Sequence, residues 1–596
     1  MSALFQTLLS RRTFVKSGTA LSALFLAACS LDSADEEEPE PTATPPSEPD
    51  EARVPDPTAT PEPTPTTEPT PTPTPVPREP ISLVLGDFVD EHQTLVKQTI
   101  DALQEIANEN EIPFNRVSDP ERASVQMHRA HNSPRDDVHI HGEPLVAAVR
   151  VDQLVDQVLR DDIPRLFNRE IASWQELGGQ DWLIHPAIAG DAVPPDFALD
   201  SDIQHRDDLT SHAGEHPGLI AMMRRSSASF DVQTLIIDEM DPLRDELTPD
   251  VWPWWERIDI TVDHPDADTS ERIVSRLNEV TAELSASRRT MLSIVGDVML
   301  GRTPHRIMYE RNDWRAPYPL VADELQKGDL TIGNLECAIT DSFTPPADPT
   351  TFSFMTFTSA VEGLQFAGFH ALSGANNHAL DFGVVGMQDT TAALEAGGIQ
   401  HFGVGNTLEE ARQPCLLEHN GVTFGFLGYD AISMHYAGAT ANSGGVAPLV
   451  QEYFVEDIQR TREIADVVIP YFHWGVEYTL TPTANDRRMS HLAVEAGADL
   501  VLGGHPHWVQ GMEIYQGTAI FYSTSNFVFD QEWSFETKQG FVLHLVFDGT
   551  RLVGYRVVPV LIEDFHRPRI VEDDVRATIL GRFWESSSII ASTPHP

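Results

Sequence analysis

Lysine is nearly missing from this 596-residue chain. Only Lys16, Lys97, Lys327 and Lys538 occur, so arginine carries almost all of the positive charge. Against 40 Lys and Arg stand 91 Asp and Glu, a formal net charge of −51. A surface of that sign repels nucleic-acid phosphates and anionic lipid headgroups, which argues against DNA or RNA as a partner. Cysteine is as scarce. Cys29, Cys337 and Cys415 cannot build a disulfide framework, so folded stability has to come from packed cores. Spacing leaves open whether Cys337 and Cys415 pair. A membrane-spanning helix needs ~20 apolar residues, and the apolar run Ala20 to Ala28 is too short for one. The length exceeds what one core organises, and two or three domains are expected.

The first 29 residues read as an export signal. Ser10-Arg-Arg-Thr-Phe-Val-Lys16 resembles the twin-arginine signal, and the apolar run ends in Leu26-Ala-Ala-Cys29, which resembles a lipoprotein cleavage box. The expectation is a lipidated Cys29 and a mature protein outside the cytoplasm, lipid-anchored to the cell membrane. Residues 30–80 are Pro, Thr and Glu with almost nothing apolar. Such a segment cannot bury a core and reads as an extended acidic tether. At ~3.1 Å per residue it could reach on the order of 100 Å.

Residues 81–286 open with a strand, Ile81–Leu85, then an amphipathic helix around Leu95 to Ile106 and a second strand, Leu145–Val149. The run from Ile163 to Gly179 closes in Trp174-Gln-Glu-Leu-Gly-Gly179. It resembles the segment of phosphate-type extracellular solute-binding proteins in which a helix ends in such a turn. No Ser/Thr/Gly-rich anion loop follows, so a degenerate α/β solute-binding-like domain is expected, a spacer or recognition module.

Residues 287–569 alternate strand and helix patterns. Strands are predicted at Met291–Val295, Leu330–Ile332, His370–Ser373, Thr423–Leu427, Val467–Tyr471, Leu500–Leu502 and Ala519–Tyr522. Helices are predicted at Val384–Ala396, Tyr453–Ala465 and Arg487–Ala496. Alternation of this kind means an α/β domain with buried, largely parallel strands. Phe541–Phe547 and Val553–Val558 read as an antiparallel pair, and a short helix near Val571–Trp584 opens the tail, 570–596.

Polar residues gather where these strands finish. In Val501-Leu-Gly-Gly-His-Pro-His-Trp-Val-Gln510, two histidines leave the backbone two residues apart. In extended chain both would point to one side. Other strands run into Asp297, Asn334 and Glu336, Asn377 and His378, His473, and Ser523-Thr-Ser-Asn526. Singly, each segment reads as a turn, a helix cap or core packing. Together, at strand ends of one α/β domain, they occupy the place where ligands bind. Asp, Glu, Asn and His form the mixed oxygen and nitrogen set suited to zinc, manganese or iron.

The ordered motifs GDVMLGR (from Gly296), NLE (Asn334), GANNHALDFG (Gly374), HWG (His473), GGHPHWVQG (Gly503) and YSTSNFVFDQ (Tyr522) resemble the CapA domain of poly-γ-glutamate capsule biosynthesis proteins. That family is in turn similar to calcineurin-like metallophosphoesterases. The resemblance implies a two-sheet sandwich flanked by helices that binds one or two divalent metal ions. Asp297 would be a ligand of the first ion and Glu336 would stand where the bridging aspartate is usual. Asn377, His473 and His505 would complete the second ion, and His507 would return to the first. His378 would protonate a leaving group, with Asp381 orienting it. The sequence departs from the phosphoesterase pattern at Met299, where those enzymes have a histidine, and at Glu336. Asn334, Asp381 or Glu477 could supply the missing ligand.

The function so implied is a cell-surface metal-dependent hydrolase or transferase of capsule or poly-γ-glutamate biosynthesis. Its partner would be an anionic cell-surface polymer or precursor, with Arg302, Arg306 and Arg487 as candidate contacts. Two other readings stand beside it: a non-catalytic, lipid-anchored accessory factor for polymer export or attachment, and a solute-binding lipoprotein. No Gly-x-Ser-x-Gly elbow or phosphate-binding loop is present to suggest a serine hydrolase or nucleotide enzyme.

Overall fold

A computed structural model describes residues 78–595 apart from 87–92, 130–137, 195–196, 198–202, 249–250, 286–287 and 343–351. The chain divides into two units, Met1–Pro75 and Val76–Pro596, and every described residue belongs to the second. Cys29, its export signal and the acidic tether up to residue 77 lie outside the described residues.

Residues 81–262 build a nine-stranded mixed sheet. Ile81–Leu85 is a strand as its apolar run predicts, and the helix after it spans Gln93–Glu109. That helix lies beside Ala267–Ser285, and both bury Leu, Ile and Val side chains against one end of the sheet. The strand Val138–Arg150 runs through both ends, pairing antiparallel with Trp255–Val262 and then with Leu219–Arg224. In the Trp174–Gly179 turn, Ser173 and Glu176 form a reciprocal capping box, and Gly178 takes the left-handed conformation that ends the turn.

From Arg289 onward two sheets face each other. The first has eight strands, in the order Gln400–Phe402, Ala371–Ser373, Leu330–Leu335, Arg289–Val298, Gln539–Asp548, Arg551–Glu563 and Arg567–Ile570, with Asn526–Val528 also beside Arg289–Val298. Its Gln400-to-Arg289 half is parallel, and its closing strands are antiparallel. The second has six: Cys415–His419, Val422–Asp430, Val467–His473, Leu500–Gly504, Thr518–Phe521 and Met512–Tyr515, with a parallel centre. Leu292, Ile294 and Leu543 from one sheet and Phe424, Ile469 and Leu502 from the other share one buried core between them. The remaining faces are covered by helices, among them Gly383–Ala396, Gln451–Thr461 and Ala484–Ala496. The architecture is therefore an α/β two-sheet sandwich flanked by helices and preceded by a smaller α/β domain.

The strands lie where apolar runs predict them because a strand buried on both faces is continuously apolar. The final helix, Asp573–Ser592, is longer than the short one predicted near Val571–Trp584. Cys337 and Cys415 are both buried and free. Cys415 donates to Gln400 Oε1 at 3.2 Å, and no crosslink joins the two thiols.

The smaller domain is seated on the sandwich. Met291, Val546 and Val553 join the core formed by Leu145–Val149 and Leu219–Met223. Around that seam Arg551 donates to the carbonyls of Ala228 and Ser226, and Arg576 and Arg556 pair with Asp156 at 2.7 and 3.7 Å.

Candidate functional site

The strand Arg289–Val298 carries Asp297 to the carboxyl edge of the first sheet, where the side chain is fully buried. Asp297 N–H donates to Ser525 O at 2.8 Å, which draws the Ser523–Asn526 turn against the strand. A Cβ on the preceding Gly296 would lie 1.8 Å from Ser525 O, so only glycine permits that approach. Glu336 follows the strand Leu330–Leu335 and is likewise fully buried. In the second sheet, His473 ends Val467–His473, while His505 and His507 follow Leu500–Gly504. One sheet thus supplies the carboxylates and the other the imidazoles.

His505 and His507 converge, but not through extended chain. Both are left-handed, with φ of 93° and 58°, and their ring centroids are 5.6 Å apart. A non-glycine residue in that region costs of order 1–3 kcal/mol and persists only where its surroundings impose it. The expectation of a shared side therefore holds for a different backbone reason than strand alternation.

The carboxylates lack the partners burial normally demands. Asp297 Oδ2 and both oxygens of Glu336 have no hydrogen bond, although all are out of reach of solvent. Burial first, and then the Asp297 carboxylate beside it, holds Glu336 far above the usual carboxylate range. His473 and His505 are pushed well below the usual imidazole range, by burial and then by neighbouring imidazoles. The nearest imidazole nitrogens stand off at longer range. His378 Nε2 and His473 Nε2 lie 3.8 and 4.0 Å from Glu336 Oε1, and His507 Nδ1 lies 3.3 Å from Asp297 Oδ2. Unpartnered carboxylate oxygens beside imidazoles held neutral form a donor set for a divalent cation. At these strand ends, ligand atoms lie mutually within 4.8 Å in two groups: Asp297, Glu336 and His507, and Glu477, His505 and His507. Asn377 Oδ1 lies 2.8 Å from His473 Nε2, adding an oxygen on the imidazole side.

Supporting residues fix these groups. Asn334 donates to Asp297 Oδ1 at 2.8 Å, and its own carbonyl accepts from Asn376 at 3.0 Å. His507 Nδ1 lies 2.8 Å from Asn526 Oδ1, so it carries the proton there and Nε2 keeps its lone pair. His378 Nδ1 lies 2.8 Å from Asp381 Oδ2, which also accepts from Phe354 N–H at 2.7 Å, and the Phe354 ring stacks on His378 at 3.9 Å. Of the three residues considered for the missing ligand, Asn334 and Asp381 are thus committed to other partners. Glu477, exposed at the rim, stands with His505 and His507. Met299 is buried in the apolar core behind the first sheet.

The arginine contacts suggested from sequence do not hold as a set. Arg302 is buried in an ion pair with Asp530 and stacks over Phe354. Arg487 is buried against Glu513 at 2.9 Å. Arg306 is exposed. Asn376, Phe354 and the His507 contact of Asn526 escape a sequence reading. Asn376 and Asn526 stand inside motifs without any mark of their partners, which are remote in the chain, and Phe354 lies outside every motif.

The family described as "Bacterial capsule synthesis protein PGA_cap" matches residues 291–531. The PGA biosynthesis protein CapA of Bacillus subtilis (strain 168) is 32% identical over 299 residues, 50% of this chain and 78% of that protein. Among solved structures, the calcineurin-like phosphoesterase YfkN from Bacillus subtilis is similar with a TM-score of 0.31 and 14% identity, covering 52% of this chain and 100% of that one. An ABC-type phosphate transport receptor from Vibrio cholerae is similar with a TM-score of 0.28 and 10% identity, covering 35% of this chain and 96% of that one.

Proposed function

This chain belongs to the bacterial capsule synthesis protein family, and from that premise we propose that it is a metal-dependent hydrolase or transferase acting outside the cytoplasm on an anionic cell-surface polymer or its precursor. The observation that carries the reading is the pair Asp297 and Glu336, where Asp297 Oδ2 and both Glu336 oxygens are buried with no hydrogen-bond partner, near the imidazoles of His473 and His505 that burial holds neutral. Asp297, Glu336 and His507 would hold a first divalent ion, and Asn377, His473 and His505 a second, with Glu477 at the rim. Manganese, zinc and iron all suit that donor set. Such ions supply Lewis-acid polarisation and neutralise charge developing on the attacked group.

The chain's own residues would do the rest. Asp381 accepts the Nδ1 proton of His378, which leaves Nε2 as the atom that delivers or takes a proton at the reacting group. Phe354 covers one face of that imidazole. Asn526 and Asn334 hold His507 and Asp297 in place. A lipid on Cys29 would hold the folded part at the membrane through the acidic tether.

Metal content tests the first step. The unmodified protein loaded with manganese should bind at least one equivalent, and His473→Ala with His505→Ala should lower that content by at least half. Sub-stoichiometric metal in the unmodified protein sinks the reading. Turnover of phosphoesters or glutamyl polymers, abolished by His378→Ala, tests the second. The core position of Met299 favours a second reading, an accessory factor that keeps the fold and lacks the chemistry. Bound metal with no His378-dependent turnover on either substrate class would decide for it. Unchanged membrane association of Cys29→Ala would refute the anchor.

A further inference from the structure

A second group of imidazoles stands in the smaller domain. His212 and His216 are four residues apart where the helix Leu209–Glu215 ends, so one lies a turn above the other on the same face. Their ring centroids are 4.5 Å apart. His216 caps the helix, its N–H donating to His212 O at 3.0 Å, and the chain then turns into the strand Leu219–Arg224. That strand pairs in parallel with His185–Ala189, and His185 N–H donates to Gly218 O at 3.0 Å. A Cβ on Gly218 would lie 1.8 Å from Leu183 O, so the turn approaches the strand this closely because the residue is glycine. The approach sets the His185 ring 4.6 Å from that of His216.

Ligand atoms of His212, Glu215 and His216 all lie within 4.8 Å of one another. His212 is buried, His216 half-buried and Glu215 exposed, so the group has a fixed base and an edge open to solvent. Burial first, then the charge of His216, lowers both His185 and His212. Arg169 adds to this at His185 and Arg206 at His212, where Glu215 opposes it. The neutral imidazole is the form that binds metal.

We propose that His212, Glu215 and His216, with His185 alongside, form a second divalent-cation site, distinct from the strand-end centre and suited to zinc. Nitrogen-rich sets with one carboxylate favour zinc. Tetrahedral ligands at ~2.1 Å stand roughly 3.4 Å apart, so binding would draw the Glu215 and His216 side chains inward. The ion would tie the helix Leu209–Glu215 to the edge of the strand His185–Ala189. Its role would be to stiffen the smaller domain, with no part in the reaction.

Zinc titration of the full chain tests this. In a His473→Ala/His505→Ala background, which removes two imidazoles of the strand-end centre, zinc should still bind at one equivalent or more and raise Tm. Adding His216→Ala and Glu215→Gln, both away from the buried base, should weaken that zinc binding at least tenfold and remove the Tm rise. Cobalt(II) should give visible absorption of a tetrahedral site in the unmodified chain, and the His216→Ala/Glu215→Gln variant should lose part of it. An unaltered zinc affinity or cobalt spectrum in a folded His216→Ala/Glu215→Gln variant overturns the proposal. If His473→Ala/His505→Ala does not fold, the cobalt comparison in the otherwise unmodified chain decides alone.

Discussion

Asn377 Oδ1 and His473 Nε2 lie 2.8 Å apart, although Asn377 follows a strand of one sheet and His473 ends a strand of the other. The candidate centre is therefore a seam between sheets. Its geometry depends on how the sheets stack as much as on either loop.

Asn526 should matter through His507. Asn526→Ala removes the acceptor that fixes the Nδ1 proton and frees the ring to rotate. Metal affinity is expected to fall about 10- to 100-fold, as it does when a partner behind a ligand is removed. Competition with a chelator measures it. Wild-type affinity in a folded variant would separate Asn526 from the centre.

His378 and Asp381 should differ in degree. Loss of a general acid costs about 10²–10⁴-fold in turnover, so His378→Ala should fall in that range with little change in KM. Asp381→Asn keeps the ring but disturbs its tautomer and the Phe354 contact, and its loss should be smaller. The pH profile separates the roles, because Asp381→Asn should shift the limb that reports His378 and His378→Ala should erase it. An unshifted profile would mean that Asp381 does not act through His378.

Glu324 predicts an acid limb of stability. Burial alone would raise its pKa, but hydrogen bonds from His544 and Lys327 outweigh burial and bring it to about 2, from an ordinary 4.5. A carboxyl lowered in the folded state stabilises above its unfolded pKa and loses that contribution as pH falls toward its folded one. Glu324→Gln should therefore cost about 2 kcal/mol near neutrality, with the difference from wild type vanishing between pH 4.5 and 2. Denaturant melts at several pH values measure it. A pH-independent difference would mean that the loss is one of packing.

Arg556 and Arg576 converge on Asp156 across the seam between the smaller domain and the sandwich. All three side chains are largely shielded from water, so the contacts should outweigh ordinary surface pairs. Replacing both arginines with alanine should weaken the seating by about 1–3 kcal/mol and split one calorimetric transition into two. A single transition at unchanged temperature would show that the shared apolar core alone couples the domains.

Much of this was legible in the linear chain because it rests on local pattern. Continuous apolar runs such as Val467–Tyr471 and Leu500–Leu502 fall inside buried parallel strands, and glycines with polar residues fall at their ends. The motif order also identified the residues that gather at one edge. The cysteines were silent, since their spacing says nothing of whether Cys337 and Cys415 meet. The arginines misled, because contact with a polymer needs a free guanidinium, and those of Arg302 and Arg487 are consumed by buried carboxylates.

By itself, then, the sequence determined the α/β class, the strand positions and the chemistry available at strand ends, for these follow from neighbours a few residues apart. Only the tertiary structure decided which sheet supplies the carboxylates and which the imidazoles. It also decided that His505 and His507 turn left-handed, that Asn526 orients His507, and that His185 meets His216. Those outcomes depend on contacts between segments tens to hundreds of residues apart, whose register is set by sheet stacking and close backbone approach at residues such as Gly296 and Gly218. Periodicity along the chain carries no record of that stacking.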